Sequence, residues 1–133
     1  MRTYVDANVF LYAVLYDDAR SQRCRKALEA IVAGRLEAVT SLLTWDEFSH
    51  VVERILGREV AVQEGERFLR FPRLDFLPCS MDVLVRAQRL RANTALGARD
   101  CLHAATALLA GATTFLSEDT DFARVPGLTR QPA

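Results

Sequence analysis

Thr3–Phe10, TYVDANVF, holds in miniature the plan of the whole chain: a short apolar strand ends on an acid, Asp6, and passes straight into an apolar helical stretch. A charge ending an apolar strand in the middle of a sheet is expensive to bury unless a cation or hydrogen-bond donors compensate it. Three later stretches, SLLTWDEF (41–48), GARDCLHAA (97–105) and TTFLSEDTDF (113–122), likewise put Glu47, Asp100 and Asp119 at the end of a β-like run or the start of a helix-like one. In an α/β sheet with right-handed crossovers, strand ends and the starts of returning helices share one edge. The four acids are therefore expected together at that edge, which points to a metal site.

The remaining pattern supports an α/β reading. Arg2–Val5 reads as a buried strand followed by a helix from Asn8 to about Tyr16, and Ser21–Ala33 as a second helix stopped by Gly34. Leu36–Thr40 is a second strand. A third helix runs from about Leu43 or Thr44 to Leu56, with Glu47 in its first turn and Gly57 closing it. Val60–Phe71 is helical, Pro72 breaks it, and Leu74–Leu77 makes a third strand. Ser80 caps a helix to Asn93, and another spans Arg99–Ala110. Thr113–Leu116 is β-rich, and Leu128–Gln131 is a candidate edge strand. The alternation predicts an α/β fold of three layers, α/β/α, with a central, mostly parallel sheet of four to five short strands and extra helices between the second and third. It leaves the strand order open.

The 133 residues suit one compact domain, 1–133, with a sizeable core. Half the residues are apolar and 26% charged, with no block of like charge, so the composition of a disordered chain is absent. The longest apolar runs fall short of a membrane span and the start reads directly as a strand, so a soluble, cytoplasmic protein is expected. Cys24, Cys79 and Cys101 match neither a CxxC pair nor a disulfide framework and read as buried reduced thiols. A formal net charge of zero excludes a generic polycation. Yet only Lys26 among the 17 basic residues is lysine, and the arginine fork suits bidentate phosphate recognition. Genomic base composition explains the bias equally well.

Each acid has an ordinary explanation. Glu47 follows Thr44 in a T-x-x-E capping box, Asp100 lies where a helix dipole favours negative charge, and Asp119 and Asp121 are of the kind that fix turns. Together these explanations must coincide at one edge, where two carboxylates about 5 Å apart repel by roughly 3 kcal/mol at an effective dielectric near 20. A divalent cation compensates that repulsion. Oxygen donors suit Mg²⁺ or Mn²⁺, and no His or Cys cluster recommends zinc. His50, three residues after Glu47, and His103, three after Asp100, read as packing or supporting groups rather than ligands.

At these residues the chain resembles a PIN domain, specifically a VapC-like ribonuclease toxin of a type II toxin–antitoxin pair. YVDANVFLY resembles the family's opening motif through Asp6 and Asn8, and Ser41 with Glu47 fits its second acidic segment. RDCLHAATAL and the S-x-D-x-DF of SEDTDF resemble the third and fourth, carrying Asp100, Asp119 and Asp121. The resemblance implies Mg²⁺- or Mn²⁺-dependent endonucleolytic hydrolysis of RNA, a homodimer, and a cognate antitoxin that covers the active site. Under it, Asp6 and Asp100 anchor the metal, Glu47 and Asp119 complete the site and handle water, and Asn8, Ser41 and Asp121 support ligands or substrate. Arg73, Arg86, Arg89, Arg91 and Arg99 are candidates to attract RNA. Tyr12, Tyr16 and Trp45 are candidates for a partner surface, though aromatic residues at helix spacing are more often core.

Three other readings compete. A stand-alone RNA-processing nuclease shares the same site. An aspartyl-phosphate enzyme of the haloacid-dehalogenase or receiver type calls for an acid where Asn8 stands, or a lysine near the phosphate, and Lys26 lies mid-helix. A non-catalytic RNA- or protein-binding module gains nothing from four uncompensated negative charges.

Overall fold

The computed structural model describes residues 2–133, and five strands form one all-parallel sheet: β1 (Arg2–Val5), β2 (Glu37–Ser41), β3 (Leu74–Leu77), β4 (Thr114–Leu116) and β5 (Thr129–Gln131). The helices are α1 (Ala7–Leu15), α2 (Ala19–Val32), α3 (Leu42–Leu56), α4 (Arg58–Leu69), α5 (Met81–Asn93) and α6 (Ala98–Leu109), with a 3-10 helix at Thr120–Arg124. This is the three-layer α/β/α arrangement predicted, and the last segment is a parallel edge strand.

The strand order is β3-β2-β1-β4-β5. Side chains alternate across a strand with period two, and the core divides accordingly. Tyr4, Val39 and Phe115 face a cluster containing Val83, Ala87 and Leu90 of α5 and Cys101, Ala104 and Ala105 of α6. Val5, Ala38, Leu74 and Leu116 face the other way, onto Val9, Phe10, Ile31, Phe48, Val52 and Phe68 of α1 to α4. Phe68 is the hub of that second layer, stacked on Phe48 at 5.0 Å and edge-on to Phe10 at 4.8 Å and Phe76 at 5.3 Å.

The chain winds outward from β1 to β2 and β3 through helices on one face, then returns across the other face to β4 on β1's opposite side. The reversal falls between β1 and β4, and the carboxyl ends of strands at such a switch point form a crevice. Asp6 directly follows β1, and Ser117 to Asp119 directly follow β4.

Local chemistry explains the boundaries. The Asp18 carboxylate accepts from Ser21 N while Ser21 Oγ accepts from Asp18 N, both at 2.8 Å, so α2 starts on a reciprocal capping box. Ser80 caps α5. Gly57, at φ 91°, lets α3 turn at once into α4 without the strain a side chain would bring.

One expected boundary is corrected. Ser41 caps α3, its Oγ accepting from Leu43 N at 3.1 Å, so the helix begins at Leu42 and no acid lies in its first turn. Thr44, the supposed cap, is buried and its hydroxyl pairs with that of Thr40 at 2.7 Å. Glu47 therefore sits in the second turn, out of capping position.

Candidate active site

Asp6 is 6% exposed, and its compensation comes from donors that the fold brings around it. One carboxylate oxygen accepts from Ala7 N at 2.8 Å, making Asp6 the N-cap of α1. The other accepts from Ser117 Oγ at 2.7 Å and Asn8 Nδ2 at 3.2 Å. Burial nevertheless pushes the Asp6 carboxyl above its ordinary range, against the charge of His103 and the Ser117 hydrogen bond.

Asp100 lies in the first turn of α6, whose N-cap, Gly97, offers no side-chain bond. Its carboxyl is pushed up to about 6, first by burial and then by the negative charges of Asp6 and Asp119, with a smaller contribution from Glu47. Asp100 therefore lies within electrostatic reach of Asp6, Asp119 and Glu47, and Asp6 within reach of Glu47. Asp119 is held by Ser117, whose Oγ accepts from Asp119 N at 3.0 Å, and in turn accepts from Asp121 N at 2.9 Å to start the 3-10 helix.

Glu47 enters from α3, 18% exposed, and its Oε1 accepts from His103 Nε2 at 2.5 Å. The imidazole is fully enclosed, and its Nδ1 lies 2.5 Å from the Tyr4 hydroxyl. Burial pulls the His103 pKa down, but the Glu47 hydrogen bond and the charges of Asp6, Glu47 and Asp100 outweigh it, so the net shift is upward. Burial and then the Asp6 charge drive the Tyr4 phenol upward, so it remains a neutral O–H.

The supporting residues divide. Asn8 links both strand ends, donating to Asp6 and to Ser117 Oγ and accepting from Glu118 N at 3.2 Å. Ser41 reaches the site indirectly, its N–H donating to the Tyr4 hydroxyl at 3.2 Å. Asp121 contributes its backbone N–H while the residue is exposed, and His50 is exposed on α3. Of the named arginines, Arg99 stands at the site, Nε 3.8 Å from Glu47 Oε1 and its side chain 65% exposed. Arg91 donates to Leu96 O, and Arg86 and Arg89 lie on α5. Arg73 is corrected: it precedes β3, at the amino edge of the sheet, and its guanidinium lies against Gly34.

Sequence reasoning left Ser117 and Tyr4 without roles. Ser117 was visible in the S-x-D spacing, whereas nothing local distinguishes Tyr4 from any core aromatic. Tyr16 and Trp45 are exposed, and Arg20 lies over the Tyr12 ring at 3.8 Å. Among the described residues, no three of His, Cys, Asp and Glu already stand arranged around one ion. The site offers an all-oxygen acid set under mutual repulsion, which is the donor chemistry that a hard divalent cation takes.

Comparison with known proteins agrees with the fold. VapBC2 from Rickettsia felis, bound to a promoter DNA fragment, has a TM-score of 0.78 at 21% identity, covering 99% of this chain and 98% of that one. VapC20 of Mycobacterium tuberculosis, described as a toxin cleaving the sarcin-ricin loop, has a TM-score of 0.75 at 16% identity, covering 91% and 92%. FitAcB from Neisseria gonorrhoeae has 0.76 at 19%, covering 96% and 95%. None of the curated protein sequences matches this chain. The family model for the PIN domain matches residues 3–128, taking in every acid of the site, and the chain belongs to the PIN domain family.

Proposed function

We propose that this protein is a Mg²⁺- or Mn²⁺-dependent endoribonuclease that hydrolyses RNA phosphodiester bonds, acting as the toxin of a type II toxin–antitoxin pair. The observation that carries the reading is the gathering of Asp6, Glu47, Asp100 and Asp119, where burial raises the Asp6 carboxyl and burial followed by neighbouring acid charge raises that of Asp100. A bound cation would offset the cost of holding those charges away from water.

A divalent cation, when bound, neutralises phosphate charge and makes water acidic enough to attack near neutral pH. In this proposal Asp6 and Asp100 hold it, with Glu47 and Asp119 completing the oxygen set. Glu47, whose Oε1 is engaged by His103, has Oε2 free to orient the attacking water and take its proton. Asn8 and Ser117 keep Asp6 and Asp119 in register across the two strand ends, and Ser41 and Asp121 support the adjoining helix starts. No covalent enzyme intermediate is required. Arg99, exposed at the rim beside Glu47, is the arginine best placed to meet the RNA phosphates.

The antitoxin partner is supported by the toxin–antitoxin complexes among the similar structures and by exposed apolar residues on α3 and α4. Trp45, Val62 and Leu69 are 43%, 53% and 54% exposed along a groove that also includes Ala61 and Gly65. Met81, Leu84 and Val85, at helix spacing on α5, are exposed and offer a further apolar face for the proposed homodimer. Among the described residues no helix is long and apolar enough to cross a membrane.

The test is cleavage of a structured RNA pool by purified protein with Mg²⁺ or Mn²⁺, against EDTA and against Asp6→Asn shown by circular dichroism to be folded. Cutting should vanish in both controls; equal cutting by the variant would overturn the reading. Induced expression tests the toxin role: growth should arrest, and Asp6→Asn should relieve the arrest. Normal growth despite nuclease activity would favour a stand-alone RNA-processing enzyme.

A further inference from the structure

Of the polar groups around the acids, His103 is the one whose surroundings exceed what packing needs. It sits on α6 one turn after Asp100, fully buried, yet both ring nitrogens are engaged by other elements: Nδ1 with Tyr4 of β1 and Nε2 with Glu47 of α3, each at 2.5 Å. An apolar side chain would fill that space without requiring two matched partners, since a buried polar ring costs free energy unless its nitrogens are bonded.

The directions of these bonds follow from the partners. An ionised carboxylate only accepts, so Nε2 must carry the hydrogen that Glu47 receives. The Tyr4 oxygen accepts from Ser41 N–H, and its own hydrogen is available to Nδ1 of a neutral imidazole. If the ring is an imidazolium, Nδ1 donates instead, and the Tyr4 hydrogen turns to the neighbouring Thr44 or Thr40 hydroxyls. In both states Nε2 donates to Glu47 Oε1, so the brace does not depend on the charge of the ring.

We infer that His103, oriented by Tyr4, is a positioning residue: it fixes Glu47 Oε1 and thereby aims Oε2 at the proposed cation and the attacking water. The inference rests on the nuclease reading above. It gives a purpose to a bond that ties the central strand, α3 and α6 together at the crevice. Unaided, Glu47 would keep, among the described residues, the longer contact from the largely exposed Arg99 side chain. Groups that orient a ligand in this way typically alter metal affinity or activity by about 10- to 100-fold.

The test compares wild type with His103→Leu, His103→Gln and Tyr4→Phe, all checked by circular dichroism and thermal melting. Mn²⁺ affinity is measured by calorimetry, and RNA cleavage is resolved into kcat and KM. The leucine variant should bind Mn²⁺ about tenfold more weakly and lose kcat with little change in KM. The glutamine variant, whose amide N–H replaces Nε2–H, should recover much of both. Tyr4→Phe should fall between wild type and leucine. Adding His103→Leu to Glu47→Gln should cost little more than Glu47→Gln alone, because the two act as a unit. A folded leucine variant with wild-type Mn²⁺ affinity and kcat would overturn the inference while leaving the nuclease reading intact. So would a glutamine variant no better than leucine, which would mark His103 as packing. A folded wild type that neither binds Mn²⁺ nor cuts RNA would sink the nuclease reading, and the inference with it.

Discussion

Asp100→Asn should make the metal-free protein more stable while ending its proposed activity. The Asp100 carboxyl, ordinarily near 3.8, is raised to about 6 in the fold, so the folded state disfavours its ionised form. A gap of about two units at about 1.4 kcal/mol each corresponds to roughly 3 kcal/mol. Asp100 is only half-buried, and solvent screening reduces this to about 1–2 kcal/mol. The sign follows from linkage: a raised carboxyl imposes no penalty below the unfolded pKa, a growing one as pH rises from about 4 to 6, and the full one above. Asparagine removes the charge at every pH. For a chain of this length, 1 kcal/mol moves Tm by about 4 °C, so the variant should melt roughly 4–8 °C higher in EDTA at pH 7.5. The gain should disappear at pH 4. Excess Mn²⁺ should reverse the order, since a ligand at 100 times its Kd adds about 2.7 kcal/mol to the protein that binds it. Thermal unfolding followed by circular dichroism at pH 4, 5.5 and 7.5, with EDTA and with Mn²⁺, reads all three effects. A variant no more stable than wild type at pH 7.5, or equally stabilised at pH 4, would refute the argument that burial and the neighbouring acids together penalise the ionised Asp100 carboxyl in the fold.

Ser117→Ala should lower stability by about 2 kcal/mol, because it removes a donor to buried Asp6 and an acceptor for Asn8 Nδ2 and Asp119 N. A denaturant titration showing a change under about 0.5 kcal/mol would mean that water replaces the hydroxyl at no cost. Phe68→Ala should cost about 3–5 kcal/mol through loss of the aromatic hub of the α1–α4 layer. If that variant remains folded, its Mn²⁺ affinity should also fall, because Phe68 packs on Phe10 of α1, the helix Asp6 caps, and on Phe48 of α3, next to Glu47; wild-type affinity would show that the acids are held independently of this layer.

Much of the site was legible in the chain because its acids sit next to strong local signals. Asp6 ends an apolar run, Asp100 opens a helix after Gly97, and Asp119 follows the β-rich TTFL. For Glu47 the local pattern misleads: T-x-x-E is a genuine capping pattern, but buried Thr44 turns its hydroxyl to Thr40 and Ser41 caps the helix instead. Arg73 looked close to the site along the chain, yet it precedes its strand rather than following it, and a strand's two ends are at opposite edges of the sheet. His103 reads from the sequence as a packing or supporting group, and its partners, Glu47 and Tyr4, lie 56 and 99 positions away, beyond the reach of local pattern.

Most of the helices and strands, the α/β class and the placing of Asp6, Asp100 and Asp119 at element ends are written in local patterns of the chain. Periodicity, capping and breaking act among residues a few positions apart, so they can be read locally. The order β3-β2-β1-β4-β5, which puts β1 between β2 and β4 and makes Ser117 a neighbour of Asp6, emerges with the packed fold. So does the meeting of Tyr4, His103 and Glu47. Those contacts depend on which helix covers which face of the sheet, a choice settled by the packing of two whole layers and by no single stretch of chain.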